Sequence, residues 1–239
     1  MRAVFWKELA DYFGSKRFII LFAIICLAGA SATYTAGQTI RGEVSAAPTE
    51  FVFLRLFTTH GGALPSFIFF LSFFGPLIGI IFGFDAINSE RSRGTLSRVL
   101  SQPVFRDSVI NGKFLAGLAA IAIMLASIIL IVSGLGLQMI GVTPGLEEIW
   151  RLVIFFVVSV VYVAFWLGLG ILFSILFERT TTSALASMAV WIFFALIMFM
   201  VAGVVANRVV PIDQQSSAQV VLRHEQLILI SGQGIFNSS

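Results

Sequence analysis

The sequence predicts an all-α protein that crosses a membrane several times. Of its 239 residues 58% are hydrophobic and only 11% are charged, a composition unlike that of soluble domains or of disordered chains. The apolar residues are gathered into five stretches, each of about 20 residues or more, the length that an α-helix needs to cross the hydrocarbon layer. The five predicted spans are residues 18–38, 64–84, 114–139, 152–177 and 183–206.

Residues 1–17 predict an amphipathic helix that lies in the membrane interface. Its apolar residues recur at helical spacing, and Trp and Tyr favour the headgroup layer. A secretory leader is the less favoured interpretation, because the segment is amphipathic and contains two acidic residues. The apolar side would carry Phe5, Trp6, Leu9, Tyr12 and Phe13, and the side facing water Arg2, Lys7, Glu8 and Asp11.

The second span repeats a glycine at every fourth residue. Gly75, Gly79 and Gly83 would leave one face of the helix without side chains, so that a neighbouring helix could approach closely. Glycine is also generally common in membrane helices. A helix-packing seam and a simple tolerance of glycine therefore both account for the pattern.

Residues 85–113, between the second and third spans, form the longest polar segment before the C-terminal tail. Within it Leu96, Val99 and Leu100 stand at positions i, i+3 and i+4, which predicts a short helix over residues 95–101 with one apolar face. A helix of this length is marginal on its own. We therefore predict that it presents an apolar ridge to a partner in the water phase.

The distribution of basic residues predicts the orientation. Cytoplasmic segments of membrane proteins are enriched in Lys and Arg, and a cytoplasmic N-terminus places 10 of the 15 basic residues inside. A nucleic-acid patch is a less favoured reading of the arginines in the 85–113 segment, because no aromatic residue is interleaved among those of its predicted helix. The inside residues are Arg2, Lys7, Lys16, Arg17, Arg91, Arg93, Arg98, Arg106, Lys113 and Arg179.

The sequence shows no site for chemistry of its own. The five spans, as drawn, contain no ionisable residue, whereas ion-coupled carriers usually place such groups at membrane depth. The chain has no P-loop and no common hydrolase motif, and one cysteine and two histidines predict no metal site. An intramembrane enzyme would need a nucleophile such as Ser127, Ser133, Ser159 or Ser174, but serines in spans more often bond the backbone or pack between helices.

The string from Glu90 to Gly117, ERSRGTLSRVLSQPVFRDSVINGKFLAG, resembles the membrane subunits of the type-2 ABC transporter permease family. The N-terminal run resembles that family too, through its interfacial helix and the Lys7-Glu8 pair, and the likeness extends to about residue 206. The positions that match in the central segment are Glu90, Gly94, Thr95, Leu96, Leu100, Pro103, Arg106, Gly112 and Lys113.

The resemblance implies a permease subunit of an ATP-driven exporter in the plasma membrane. Such a subunit pairs with a second, identical or different permease and binds cytoplasmic ATPase subunits, which carry the ATP and Mg²⁺, while it binds no cofactor itself. The short helix between the second and third spans would be the coupling element. The expected contacts with the ATPase are Glu90, Arg91, Arg93, Gly94, Thr95, Leu96, Arg98, Val99, Leu100, Pro103 and Arg106.

The chain departs from the family in its number of spans. Members typically have six spans and a cytoplasmic C-terminus, whereas this sequence predicts five spans followed by an outer polar tail over residues 207–239. We expect this tail to lead to a sixth helix that the sequence lacks; a shortened permease is the alternative. The function also has an alternative, since a non-transporting membrane anchoring or assembly protein would share this hydropathy and topology.

Overall fold

The computed structural model describes residues 2–44, 52–58, 66–92, 94, 106–141 and 143–209. All regular structure in these ranges is α-helical. The helices are α1 Arg2–Gly14, α2 Lys16–Val44, α3 Val52–Thr58, α4 Phe67–Gly83, α5 Asn88–Ser92, α6 Arg106–Ile140, α7 Leu146–Leu176 and α8 Thr180–Val209.

Five helical stretches are long and apolar enough to cross a membrane, which confirms the predicted all-α polytopic fold. The third of them, Ser108–Ile140, has 33 residues and is about 50 Å long, so it exceeds the hydrocarbon layer of roughly 30 Å. Hydropathy indicates which part of a helix contacts lipid, whereas the helix itself can continue beyond the hydrocarbon into the polar layer of the membrane. The other stretches are Lys16–Ile40, Phe67–Ser92, Leu146–Leu176 and Thr180–Val205.

The chain divides into two compact units, Met1–Ile192 and Phe193–Ser239. The core of the first lies between α2, α4, α6 and α7, where α4 packs along α7 and α6 packs on α1, α2 and α7. Fully buried side chains such as Ile78, Met124 and Leu167 fill this core. In the second unit the structure describes the last part of α8, where Phe193 and Phe194 make an edge contact.

The three glycines of α4 face α7. A Cβ atom added at Gly79 would lie 2.6 Å from the carbonyl oxygen of Val163, and one added at Gly83 would lie 2.6 Å from that of Leu167. At Gly75 the nearest atoms belong to the Tyr162 side chain, at 3.2 Å. The backbones of α4 and α7 therefore approach so closely that no side chain fits between them at the last two glycines.

Helix α1 packs against α6, and its apolar residues divide between two directions. Leu9 and Tyr12 pack against the core, whereas Trp6 and Phe13 are exposed. The prediction that Glu8 faces water is wrong, because its side chain is only 13% exposed. The buried ammonium group of Lys113 on α6 lies 2.8 Å from the Glu8 carboxylate, and its positive charge accounts for the inward direction of this side chain.

Candidate functional site

A polar cleft of about 630 Å³ lies where α1, the start of α2, the α4–α5 region and the start of α6 meet. Helix α5 ends at Ser92 and α6 begins at Arg106, so the central loop, residues 93–105, connects two of the helices that form this cleft. The residues that line the cleft are Lys7, Glu8, Asp11, Tyr12, Ser15, Lys16, Arg17, Ile81, Phe82, Asp85, Ala86, Ser89, Glu90 and Lys113.

Lys113 joins three helices at the inner wall of the cleft. Its Nζ atom lies 2.8 Å from Oε1 of Glu8 on α1 and 2.9 Å from Oε1 of Glu90 on α5. The lysine itself is on α6, two turns from its start. One ammonium group therefore binds α1, the short helix before the central loop and the helix after it.

Lys113, Glu8 and Glu90 form a cluster of largely buried charges, so each charge needs the others to offset its removal from water. The Lys113 side chain is 4% exposed, and those of Glu8 and Glu90 are each 13% exposed. Removing an ion from water costs several kcal/mol, which a close partner of opposite charge offsets. Lys7, which is 66% exposed and lies 3.6 Å from Glu8, adds a second and weaker cation.

The predicted spans contain no ionisable group because they are bounded by the nearest charged residues, so that the third begins at residue 114. The helix itself begins at Arg106, and its apolar stretch Ser108–Ile140 includes Lys113. Single-sequence hydropathy could not place this lysine inside the packed structure, because its neutralising partners are distant in the chain. Ionisable groups in such stretches are usually paired with one another, and Lys113 follows that rule.

A second set of contacts connects α1 and the start of α2 to the end of α4. Arg17 forms a salt bridge with Asp85, and its guanidinium carbon lies 5.3 Å from the centre of the Phe84 ring. The Tyr12 hydroxyl donates a hydrogen bond of 3.1 Å to the carbonyl oxygen of Phe82. Burial raises the pKa of the Tyr12 phenol above its usual value, and the nearby carboxylates of Glu8 and Asp85 raise it further, so the hydroxyl stays a donor.

Two serines hold the turn between α4 and α5. The Ser174 hydroxyl of α7 accepts hydrogen bonds from the backbone N–H groups of Ile87, at 3.0 Å, and Asn88, at 3.2 Å. The Ser183 hydroxyl of α8 donates to the carbonyl oxygen of Phe84 at 2.8 Å. Ser174 thus bonds backbone groups of another element, the role that is common for serine in membrane helices.

The structure describes part of the predicted coupling segment. Glu90 and Arg91 lie on α5, where Arg91 is exposed, and Arg106 is the first residue of α6. Gly94 is exposed and has a φ angle of +68°, a left-handed conformation that favours glycine. The helix predicted over 95–101 lies outside the described residues, together with Arg93, Thr95, Leu96, Arg98, Val99, Leu100 and Pro103.

Sequence reasoning did not find the Lys113 cluster as a unit. Glu8, Glu90 and Lys113 were each noted at positions that resemble the permease family, but nothing in their spacing showed that they meet. The available signal was the presence of lysines and acidic residues among those positions. In the described ranges no group of three or more His, Cys, Asp or Glu side chains could hold a metal ion.

The comparison with known families agrees with this architecture. The sequence profile of a family described as ABC-2 family transporter protein matches residues 2–228, a range that includes α1, all five candidate spans and the central loop. Comparison with individually curated proteins gives no match. Because the family match covers nearly the whole chain, the resemblance seen in the central segment is confirmed. The chain belongs to the ABC-2 transporter membrane family and is a multi-pass permease subunit of an ABC transporter.

Proposed function

We propose that this permease couples ATP hydrolysis on a separate cytoplasmic subunit to export of a substrate, and that the central loop is the docking element. The observation that carries the proposal is the contact of Lys113 with Glu8 and Glu90. Glu90 lies on the short helix before the loop, and Lys113 lies on the helix after it, two turns from its start. A partner that displaces the loop would therefore also displace α1 and the first turns of α6.

The chemistry of the loop supports this role. Burial of a large apolar side chain such as Leu96 or Leu100 contributes on the order of 1.5 to 3 kcal/mol, enough for a few residues to anchor a short helix. Exposed arginines such as Arg91 would select an acidic rim on the ATPase and speed the encounter more than they add affinity. Movement of the ATPase would then reach the membrane helices as a rigid-body shift.

The proposal includes an orientation and an assembly. The N-terminus, the loop and the Lys113 cluster would lie on the cytoplasmic side of the plasma membrane, because the positive-inside rule assigns the basic segments to that side. Two permease subunits, identical or different, would form the transport path. ATP and Mg²⁺ would be bound by the partner ATPase.

Replacing Leu96 and Leu100 by aspartate is expected to abolish binding of the ATPase. Each change puts a charge where an apolar residue would enter the partner, and a buried carboxylate without a cation is strongly unfavourable. The measurement is to tag the chain, extract it gently from its native membrane and quantify the ATPase that is purified with it. The wild type is expected to retain the ATPase, and the double variant to lose at least about 90% of it, which corresponds to about 1.4 kcal/mol of binding free energy or more.

Leu146→Asp/Ile149→Asp is the matched control. Leu146 is 88% and Ile149 46% exposed, and both lie on the first turns of α7, at the opposite end of the helices from the loop. This variant is expected to retain the ATPase. If no ATPase accompanies the wild type in several detergents, the coupling role is wrong, and a membrane anchoring or assembly role becomes the better account.

A further inference from the structure

The interruption between α4 and α5 is built by exchange of hydrogen-bond partners. In a continuous α-helix the N–H group of residue i bonds the carbonyl of residue i−4, so Asn88 would donate to Phe84. Here the Asn88 N–H group donates to Ser174, and the Phe84 carbonyl accepts from Ser183. The two serines thus take the place of one helical hydrogen bond.

A neighbouring pair of backbone groups shows the same exchange. The Gly83 carbonyl, which would accept from Ile87 in a continuous helix, accepts instead from Ala86 at 3.1 Å. The Ile87 N–H group donates to Ser174. A tighter i to i+3 turn therefore replaces one α-helical turn, and two donors of the chain are satisfied by α7.

The Asn88 side chain indicates that this arrangement is not optimal for every polar group. It is 1% exposed, and neither its amide nitrogen nor its amide oxygen has a hydrogen-bond partner within the described part of the chain. A buried amide without a partner is destabilising. The interrupted arrangement therefore leaves this amide unsatisfied by the described residues.

We propose that the α4–α5 turn is a two-state switch, in which Ser174 and Ser183 stabilise the interrupted state and a continuous α4–α5 helix is the other state. Closing the Gly83–Ile87 and Phe84–Asn88 hydrogen bonds together would release the Ser174 hydroxyl from both backbone donors and would supply the Phe84 carbonyl with a helical donor in place of Ser183. The inference rests on the proposed function for its driving force, because α5 leads directly into the docking loop. It adds that α7 and α8 receive the movement through Ser174 and Ser183.

The switch assigns Ser174 and Ser183 a positioning role that two other buried serines do not share. Ser159 on α7 donates to the carbonyl of Phe155, and Ser187 on α8 donates to that of Ser183. Both are buried, and the hydrogen bonds that they donate to described residues stay within their own helices. Ser159→Ala/Ser187→Ala is therefore a matched control for Ser174→Ala/Ser183→Ala, with the same substitutions on the same two helices.

The test is a distance measurement between spin labels at Ser92→Cys on α5 and Glu178→Cys in the turn between α7 and α8. Both positions are exposed, and the native Cys26 is replaced by alanine. In the free chain, Ser174→Ala/Ser183→Ala is expected to shift the mean distance by about 2 Å, the upper end of the range for helix shifts in switching proteins. The control variant is expected to keep the distance of the labelled parent.

The same labels are then measured in the complex with the ATPase that is purified with the chain. Addition of ATP, Mg²⁺ and orthovanadate is expected to shift the parent distance toward that of the free Ser174→Ala/Ser183→Ala variant, and to shift that variant little further. An unchanged distance in the free serine variant, or an equal shift in the control, would overturn the switch. A serine-dependent shift in the free chain without any ATPase in the parent preparation would support the switch and contradict the proposed function.

Discussion

Replacing Lys113 by methionine is expected to lower the free energy of unfolding by about 3–5 kcal/mol, the range for removing one partner of a buried ion pair. The change removes the ammonium group that lies 2.8 Å from Glu8 and 2.9 Å from Glu90. The largely buried carboxylates of Glu8 and Glu90 would then repel each other, because no ammonium group would lie between them. Unfolding of the purified chain in mixed micelles, followed by circular dichroism, measures the loss.

The same experiment separates the charge of Lys113 from its packing. A triple variant, Lys113→Met with Glu8→Gln and Glu90→Gln, removes all three charges at similar side-chain length, and it is expected to recover most of the lost stability. Lys7→Met removes an exposed cation beside the same Glu8 and is expected to change the unfolding free energy by less than about 1 kcal/mol. A triple variant as unstable as Lys113→Met would show that the lysine acts through packing rather than charge.

Gly79→Ala is expected to destabilise the packing of α4 on α7 by about 3 kcal/mol, at the upper end of the range for an overfilled core. The added methyl group would lie 2.6 Å from the Val163 carbonyl oxygen and 2.7 Å from the Leu167 nitrogen. These are backbone atoms, so no side-chain rotation can relieve the contact, and the helices must separate. Thermal unfolding of the purified variant measures the effect.

Other glycines of the chain provide graded controls for this prediction. Gly75→Ala is expected to cost only about 1 kcal/mol, because its nearest neighbour is the Tyr162 side chain at 3.2 Å, which can move. Gly134 on α6 has no atom within 4 Å of an added Cβ, so Gly134→Ala is expected to stabilise the protein by about 0.5–1 kcal/mol. Equal effects at Gly79 and Gly134 would contradict a packing seam.

The seam and the α4–α5 turn are neighbours in the structure. Gly83 is the last residue of α4 and lies against the Leu167 backbone of α7. The turn that follows is hydrogen-bonded to Ser174, which lies about two helical turns further along α7. Close backbone approach at the glycines therefore brings the serine hydroxyl within reach of the turn. A substitution that separates the two helices would also weaken the hydrogen bonds that hold the α4–α5 turn.

Periodicity and hydropathy predicted the parts of this fold that depend on neighbours in the chain. The five spans, the N-terminal helix and the family likeness of the central segment follow from the order of apolar and polar residues, because a helix in a membrane is defined by its own length and composition. The repeat of Gly75, Gly79 and Gly83 indicated a bare helix face. It did not indicate which helix would approach that face.

The sequence by itself therefore determined that the chain is an all-α membrane protein with a polar loop that resembles a permease docking segment. Only the tertiary structure decided that α7 is the partner of the glycine face, that Glu8 points inward, and that Ser174 and Ser183 complete the turn after α4. The physical reason is the distance along the chain between the interacting groups. Lys113 lies 105 residues from Glu8, and Ser174 lies 87 residues from Ile87, so packing of whole helices brings together groups that no local pattern relates.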